Sequence, residues 1–384
     1  MKQRPHVQIA LVGGQPTPVY QGIVHLAPNQ VVLVCSSQSR GMAEAIREQL
    51  PQYKDGDIMI YEISDDDIVK MYSKAEMIEQ ALPKGITISL NVTGGMKLWS
   101  IVFNNVFRRK RRSCRTFFIG QNGIYFDLKN KEVLPKVNFD MDAQFKILGH
   151  TVSEYTPLSD YTSQDFTVLN TAQSWGFSQN THYPFMKLTD KFRDEYKAVY
   201  NNNLYRRPFS VTEGRNSLEW NPDTKSFDIL IGAKNLTLVS EHVTNIVLNT
   251  GWFELYVARM ISKRYPSSQI WLNCIFKNKS NKTKNEVDII VNTGNKLLFV
   301  ECKTQVYNTT DVDKFRSVVA NYGGLGSKHL FVTWQPMKAE AREKCDDYGI
   351  TTFHFADPSF KNNQDKIDAL DKVLDELEKK WNFK

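Results

Sequence analysis

The chain has 384 residues, longer than one hydrophobic core usually sustains, so two or three domains are expected. Its 41% hydrophobic and 24% charged residues exclude a mainly disordered or fibrous protein, and its apolar runs are strand-length, which argues against a membrane span. A formal net charge of +7 favours a polyanionic partner, because Lys and Arg that neutralise phosphates release condensed counterions.

Strands are expected at 7–12, 31–35, 58–63, 87–91 and 116–119, with helices at 41–50, 68–82 and from Met96 onward. Short apolar strands between helices argue for a parallel sheet covered on both faces, so residues 1–150 read as a Rossmann-like domain. Residues 151–245 lose this rhythm and are rich in Thr, Ser, Asn and aromatics, including the run Asn201, Asn202, Asn203. They read as a connecting region with a helix at 187–200 and a strand pair at 227–231 and 236–239. A further unit spans 246–384. It opens with a helix at 251–263 and strands at 269–276, 286–292 and 296–302. A helix at 312–322, a strand at 329–333, a helix at 338–348, a strand at 351–355 and a charged helix at 365–381 complete it. The fold class is therefore α/β.

Residues 1–7 contain no apolar leader stretch, so a cytoplasmic location is expected. The five cysteines, Cys35, Cys114, Cys274, Cys302 and Cys345, are scattered and form no CxxC pair, which points to reduced thiols and no structural zinc. The densest basic stretch runs over 108–112 and on to Arg115, after an apolar helical segment. It reads either as a helix C-terminus whose cations complement the dipole or as a nucleic-acid patch.

In Leu297-Leu298-Phe299-Val300-Glu301-Cys302-Lys303, four apolar residues run straight into a carboxylate and a lysine two positions apart. Strand residues i and i+2 share a face, so Glu301 and Lys303 project together while Cys302 turns away. Asp288 lies in the preceding strand, and a turn at Thr293, Gly294 and Asn295 folds the two strands side by side. Carboxylate oxygens suit a hard divalent cation such as Mg²⁺ or Mn²⁺, and a neighbouring ammonium can orient or deprotonate a metal-bound water and offset transition-state charge. Glu254, in the first turn of the helix at 251–263, is a further candidate ligand, and Glu286 could assist. A salt-bridged surface strand end would carry the same short pattern; the buried-looking strand, the turn spacing and the order of flanking elements favour the catalytic reading.

These residues resemble the PD-(D/E)xK nuclease superfamily. Asp288, Glu301 and Lys303 match its motif, Glu254 matches the acid that many members carry on the first helix, and Val287 replaces the motif's proline. The resemblance implies a restriction-endonuclease-like α/β/α domain, with Glu254, Asp288, Glu301 and Lys303 as catalytic residues and the three acids as ligands for Mn²⁺ or Mg²⁺.

Near the other end, Ile88-Ser89-Leu90-Asn91-Val92-Thr93-Gly94-Gly95-Met96-Lys97 passes from a strand through two glycines into a helix. Glycines let backbone approach a ligand, and a helix start favours phosphate; a tight, capped strand-helix turn would carry the same residues. The loops holding Gln15 and Thr17, and Ser36 and Ser37, also lie at strand C-termini, where doubly wound sheets bind ligands. No G-x-G-x-x-G follows the first strand, which disfavours a nicotinamide dinucleotide.

The N-x-T-G-G-x-K signature is similar to that of the CARF domain, the Rossmann-like sensor of CRISPR-associated proteins, and the domain order resembles the ancillary nucleases of type III CRISPR systems. The resemblance covers 1–150 and 246–384. It implies a homodimer that binds a cyclic oligoadenylate, most often cyclic tetra-adenylate, across its two-fold axis as allosteric activator. Gln15, Thr17, Ser36, Ser37, Asn91, Thr93, Gly94, Gly95 and Lys97 would form half of that pocket. It also implies cleavage of single-stranded DNA or RNA, with nicking of duplex DNA in some members, in antiviral defence. Two rivals remain: a restriction-like nuclease whose N-terminal domain senses no ring, and a non-enzymatic, nucleotide-sensing DNA-binding regulator.

Overall fold

The computed structural model describes residues 4–64, 66–111, 114–120, 124–128, 133–134, 139–176, 180–202, 204–248, 251–277, 283–294, 296–306, 308–324 and 326–381. Arg112, Asn203 and Asn295, singled out in the sequence, lie outside them.

The first unit runs β1 (His6–Leu11), α1 (Thr17–Leu26), β2 (Gln30–Cys35), α2 (Arg40–Glu48), β3 (Ile58–Glu62), α3 (Ile68–Ala81), β4 (Thr87–Asn91), α4 (Lys97–Lys110), β5 (Arg115–Ile119), β6 (Tyr125–Asp127) and β7 (Val133–Leu134). Its sheet has the order β3-β2-β1-β4-β5-β6-β7, parallel from β3 to β5 and antiparallel beyond. The period-2 alternation of its strands explains the layering. Ala10, Val12, Val31 and Leu33 face α1 and α2, whereas Ile9, Leu11, Val32 and Val34 face α3 and α4. In α4 the buried residues Trp99, Val102, Phe103, Val106 and Phe107 keep helical spacing, so one stripe of the helix closes the core.

The chain then forms α5 (Met141–Ile147) and β8 (Val152–Pro157). Phe145 of α5 is fully buried, with its ring 5.2 Å from that of Phe276 and 6.5 Å from that of Phe299. One apolar cluster thereby joins the first sheet, α5 and the C-terminal sheet.

Residues 151–245, expected to be a connecting region, hold β8, α6 (Ser163–Gly176), α7 (His182–Tyr200) and the strands β9 (Phe209–Glu213), β10 (Asn216–Asn221), β11 (Ser226–Ile231) and β12 (Lys234–Val239), with α8 (Val243–Val247) at the boundary. The four strands β9 to β12 form an antiparallel meander. Its core is continuous with that of the C-terminal unit, since Phe192, Trp220 and Phe227 share a cluster with Trp252, Phe253 and Val300.

The C-terminal unit comprises α9 (Gly251–Ile261), β13 (Ile270–Lys277), β14 (Thr283–Asn292), β15 (Leu297–Lys303), α10 (Thr310–Tyr322), β16 (Lys328–Thr333), α11 (Ala339–Asp347), β17 (Thr351–His354) and α12 (Asn363–Trp381). Its sheet order is β17-β16-β15-β14-β13-β8, so an edge strand comes from outside the 246–384 span. Helix α9 is apolar on nearly every side, as its position between the sheet, α6 and α12 requires. Cys35, Cys274, Cys302 and Cys345 are buried free thiols. Among the described residues no helix is long and apolar enough to cross a membrane.

Three arginines of the basic stretch are held in structural pairs. Arg109 meets Glu76 at 2.7 Å, and Arg111 meets Glu79 at 2.7 Å and donates to the carbonyls of Glu79, Leu82 and Pro83, tying α4 to α3. Arg115 pairs with Asp127 across β5 and β6.

Candidate active site and ligand pocket

β14 and β15 are antiparallel, with Ile289 opposite Val300 and Val291 opposite Leu298. Continuing that register sets Asp288 opposite Glu301. Cys302 turns into the apolar core, so Glu301 and Lys303 share the other face, as the alternation of the strand requires. The Lys303 ammonium stands 2.7 Å from Oε1 of Glu301 and 3.7 Å from Oδ2 of Asp288. Asp288 Oδ2 also accepts a 2.7 Å hydrogen bond from the Cys302 main-chain N–H.

Glu254 joins them from the first turn of α9, which packs on β13, β14 and β15. Burial raises the pKa of Glu254, Asp288 and Glu301; the charge of Asp288 raises Glu254 and Glu301 further, and Lys303 pulls all three back. Glu301 is pushed up to about 8. Burial opposes the Lys303 charge, but Asp288 and Glu301 outweigh it and hold that pKa above the ordinary lysine value. Glu286 is more exposed, and its pKa too is raised by burial and by Asp288.

Three or four carboxyls therefore crowd a half-buried site against one ammonium, and their mutual repulsion favours protonation unless further positive charge is supplied. The donor chemistry, hard carboxylate oxygens, fits Mg²⁺ or Mn²⁺. The spacing is not preset: among the described residues no three His, Cys, Asp or Glu side chains stand ready to hold a metal, and Lys303 sits between Glu301 and Asp288.

A cleft of about 460 Å³ opens on Glu254 and Glu286. Its walls include Tyr155, Tyr205, Asn245 and Asn273, most of them from the segment that carries no recognisable motif. Tyr155 stacks on Trp271 with ring centroids 3.7 Å apart. Asn273, polar within the apolar run of β13, adopts a positive φ of 53°; that interruption is the one sequence signal that could have marked it.

In the first unit the loops after β1 and β4 touch through their backbones. A Cβ on Gly94 would fall 2.2 Å from the Leu11 carbonyl oxygen, and one on Gly13 would fall 2.7 Å from the Gly95 nitrogen. Gly95 has φ +71°, a conformation glycine adopts without penalty. Asn91 is fully buried: its Oδ1 accepts from the Thr93 N–H at 3.0 Å and its Nδ2 donates to the Pro18 carbonyl. Thr93 Oγ1 accepts from the Ile119 N–H at 2.8 Å. Ser36 and Ser39 bond each other, and Ser39 bonds the Val12 carbonyl.

Gln15, Thr17 and Thr93 line one cavity of about 200 Å³. Asn91 and Ser36 shape the loops around it, and Ser37, Gly94, Gly95 and Lys97 are not among its lining residues; Lys97 is exposed at the start of α4. The far wall comes from elsewhere in the chain, through Gln144, Lys296 and Gly324, none of which the sequence reading had singled out.

The family model for the Card1-like endonuclease domain matches residues 241–351, the span that holds Glu254, Asp288, Glu301 and Lys303. That segment is similar to the Card1-like endonuclease domain. Across its length it is similar in fold to Can2 from Sulfobacillus thermosulfidooxidans in complex with cyclic tetra-adenylate, at 18% identity over 97% of this chain and 99% of that one, with a TM-score of 0.65. It is also similar to protein VC1899 from Vibrio cholerae, at 13% identity over 98% of both chains, with a TM-score of 0.71. A type III CRISPR defence DNA nuclease activated by cyclic oligoadenylate matches at 15% identity and a TM-score of 0.57, over 88% of this chain; this chain spans 47% of that nuclease. No curated protein sequence matches. The fold is thus that of these structures, a Rossmann-like unit followed by an α/β unit that contains the segment similar to the Card1-like endonuclease domain.

Proposed function

We propose that this chain is a nuclease that uses Mn²⁺ or Mg²⁺ and is switched on by a cyclic oligoadenylate, with cyclic tetra-adenylate the first ring to try. The observation that carries the reading is the gathering of Glu254, Asp288, Glu301 and Lys303 at the end of β15 inside a Card1-like domain. In its support, Can2 is similar over nearly the whole chain and was solved with cyclic tetra-adenylate.

Glu254, Asp288 and Glu301 hold the cation, which when bound supplies positive charge and a more acidic water. Asp288 is oriented by the Cys302 N–H. Lys303, whose pKa Asp288 and Glu301 hold above the ordinary lysine value in the metal-free site, orients or deprotonates the attacking water and offsets charge on the phosphodiester. The substrate is single-stranded DNA or RNA, with duplex nicking as a side activity, entering by the cleft beside Glu254. Residues 1–150 act as sensor, 151–245 as a wall of the substrate cleft and 246–384 as nuclease. A second copy completes the ring site across a two-fold axis, and the protein acts in the cytoplasm.

The test is cleavage of fluorescent single-stranded DNA and RNA in Mn²⁺, with and without cyclic tri-, tetra- and hexa-adenylate, and with chelator. Cleavage that needs both metal and one of the rings supports the reading; equal cleavage in every tube removes the switch.

A further inference from the structure

The cavity that Gln15, Thr17 and Thr93 open into is not made by the sensor sheet alone. Lys296, in the turn between β14 and β15, and Leu297, the first residue of β15, line it as well. That turn is held firmly. The Thr293 N–H and hydroxyl each donate to the Lys296 carbonyl at 3.0 Å, and the Gly294 N–H donates to Asn292 Oδ1 at 2.9 Å. Asn292, itself buried, donates from Nδ2 to the Phe139 carbonyl at 2.7 Å. Phe139 stands just before α5, whose Gln144 lines the same cavity.

Gln144 is 4% exposed, and its Oε1 has no hydrogen-bond partner in the protein. A buried acceptor left without a donor costs about 1–3 kcal/mol, so its presence at a cavity wall points to a ligand that brings the donor. Lys296 is half-buried, and burial together with Lys328 brings its pKa down to about 8. An anion beside it would stabilise the charged form that the site otherwise disfavours.

Taking the sensor reading above as its premise, we infer that Lys296 and Gln144 are ligand-binding residues of this cavity. Lys296 takes a phosphodiester of the cyclic oligoadenylate, and Gln144 takes an adenine amine or a ribose hydroxyl. One bound ring then touches the sensor loops and the nuclease sheet together. The consequence is mechanical. β15 starts at Leu297, next to Lys296 in the turn, and at about 3.3 Å per residue it reaches Glu301 about 17 Å and Lys303 about 23 Å from Lys296. A paired central strand is stiff, so a shift at its ligand end is felt at the carboxylates without a relay of loops.

The experiment is isothermal titration of the full-length protein with cyclic tetra-adenylate at two salt concentrations, for wild type, Lys296→Ala, Lys296→Arg and Gln144→Leu, with a thermal melt on each. Lys296→Ala is expected to raise Kd by about tenfold or more and to flatten its salt dependence, because a charge contact is lost. Lys296→Arg restores most of both. Gln144→Leu raises Kd by about fivefold with the salt dependence of wild type. A merely structural Lys296 would lower the melting temperature without changing the salt slope. Wild-type Kd and salt slope in folded Lys296→Ala, or in both Lys296→Arg and Gln144→Leu should Lys296→Ala not fold, overturns the inference alone. A wild type that binds no ring overturns the sensor reading together with it.

Discussion

The Cys302 main-chain N–H donates to Oδ2 of Asp288, so the strand that presents Glu301 and Lys303 also aims the carboxylate of its neighbour. Both carboxylates are thereby fixed by β15 rather than by mobile loops. Asp288→Asn retains an oxygen for that bond but loses its charge, and Glu301→Ala removes the other acid. Each is expected to leave the fold intact and to lower cleavage by at least about 100-fold in saturating Mn²⁺. Single-turnover cleavage beside a melting curve checks both halves of this statement.

Lys303 is the ammonium that the structure places against this acidic group, 2.7 Å from Glu301. Lys303→Met should cost about 1–2 kcal/mol of stability, the full buried-pair cost being reduced by the partial exposure of Lys303 and by protonation of the carboxyls that lose their counter-charge. Glu254→Gln should act in the opposite direction. Burial and the charges of Asp288 and Glu286 already raise its pKa, so a neutral amide is expected to stabilise the metal-free protein while cleavage falls. Urea denaturation without divalent metal measures both, and equal shifts of one sign would contradict the picture of crowded acids.

The strand 297–303 was legible because its chemistry is local. An apolar run that ends in Glu301 and Lys303 places both on one face by alternation alone, and a glycine turn brings Asp288 alongside. The strand-to-helix turn between β4 and α4 was legible for a similar reason, since Gly94 and Gly95 sit between an apolar strand and an apolar helix. Partners far apart in sequence were not. β8 joins the nuclease sheet through β13, more than a hundred residues later, and nothing within Val152–Pro157 names that partner. β9 and β10 escaped because their short Ser- and Thr-bearing segments resemble loop composition, although Gly214 marks the turn between them. Arg109 and Arg111, at the end of α4, carried two readings until the acids of α3 were seen beside them.

Gly94 offers a sharp contrast with Gly14. A methyl group on Gly94 would meet the Leu11 carbonyl oxygen at 2.2 Å, whereas one on Gly14 meets nothing within 4 Å. Gly94→Ala should therefore cost about 2–3 kcal/mol and loosen the sensor loops, while Gly14→Ala should change stability by no more than about 0.5 kcal/mol. Chemical denaturation of the two variants distinguishes a loop built on backbone contact from one that is merely glycine-rich.

His329 on β16 sets a pH dependence. Burial, with Lys328 and Arg316 nearby, lowers its pKa from 6.5 to about 4, so between those values the unfolded chain binds the extra proton. Stability is then full above about pH 6.5 and is lost as pH falls toward 4; the full shift would remove about 2 kcal/mol by pH 5, and partial exposure reduces this to about 1 kcal/mol. His329→Gln should flatten that slope, as urea midpoints at pH 7.5 and pH 5 would register.

The most direct measurement is cleavage of one fluorescent single-stranded substrate by wild type and by Glu301→Ala, in Mn²⁺, with and without cyclic tetra-adenylate. The expected result is rapid cleavage in the wild-type tube that contains the ring, little in the tube without it, and none with Glu301→Ala in either. Cleavage by Glu301→Ala at the wild-type rate would place the chemistry away from β15 and contradict the account.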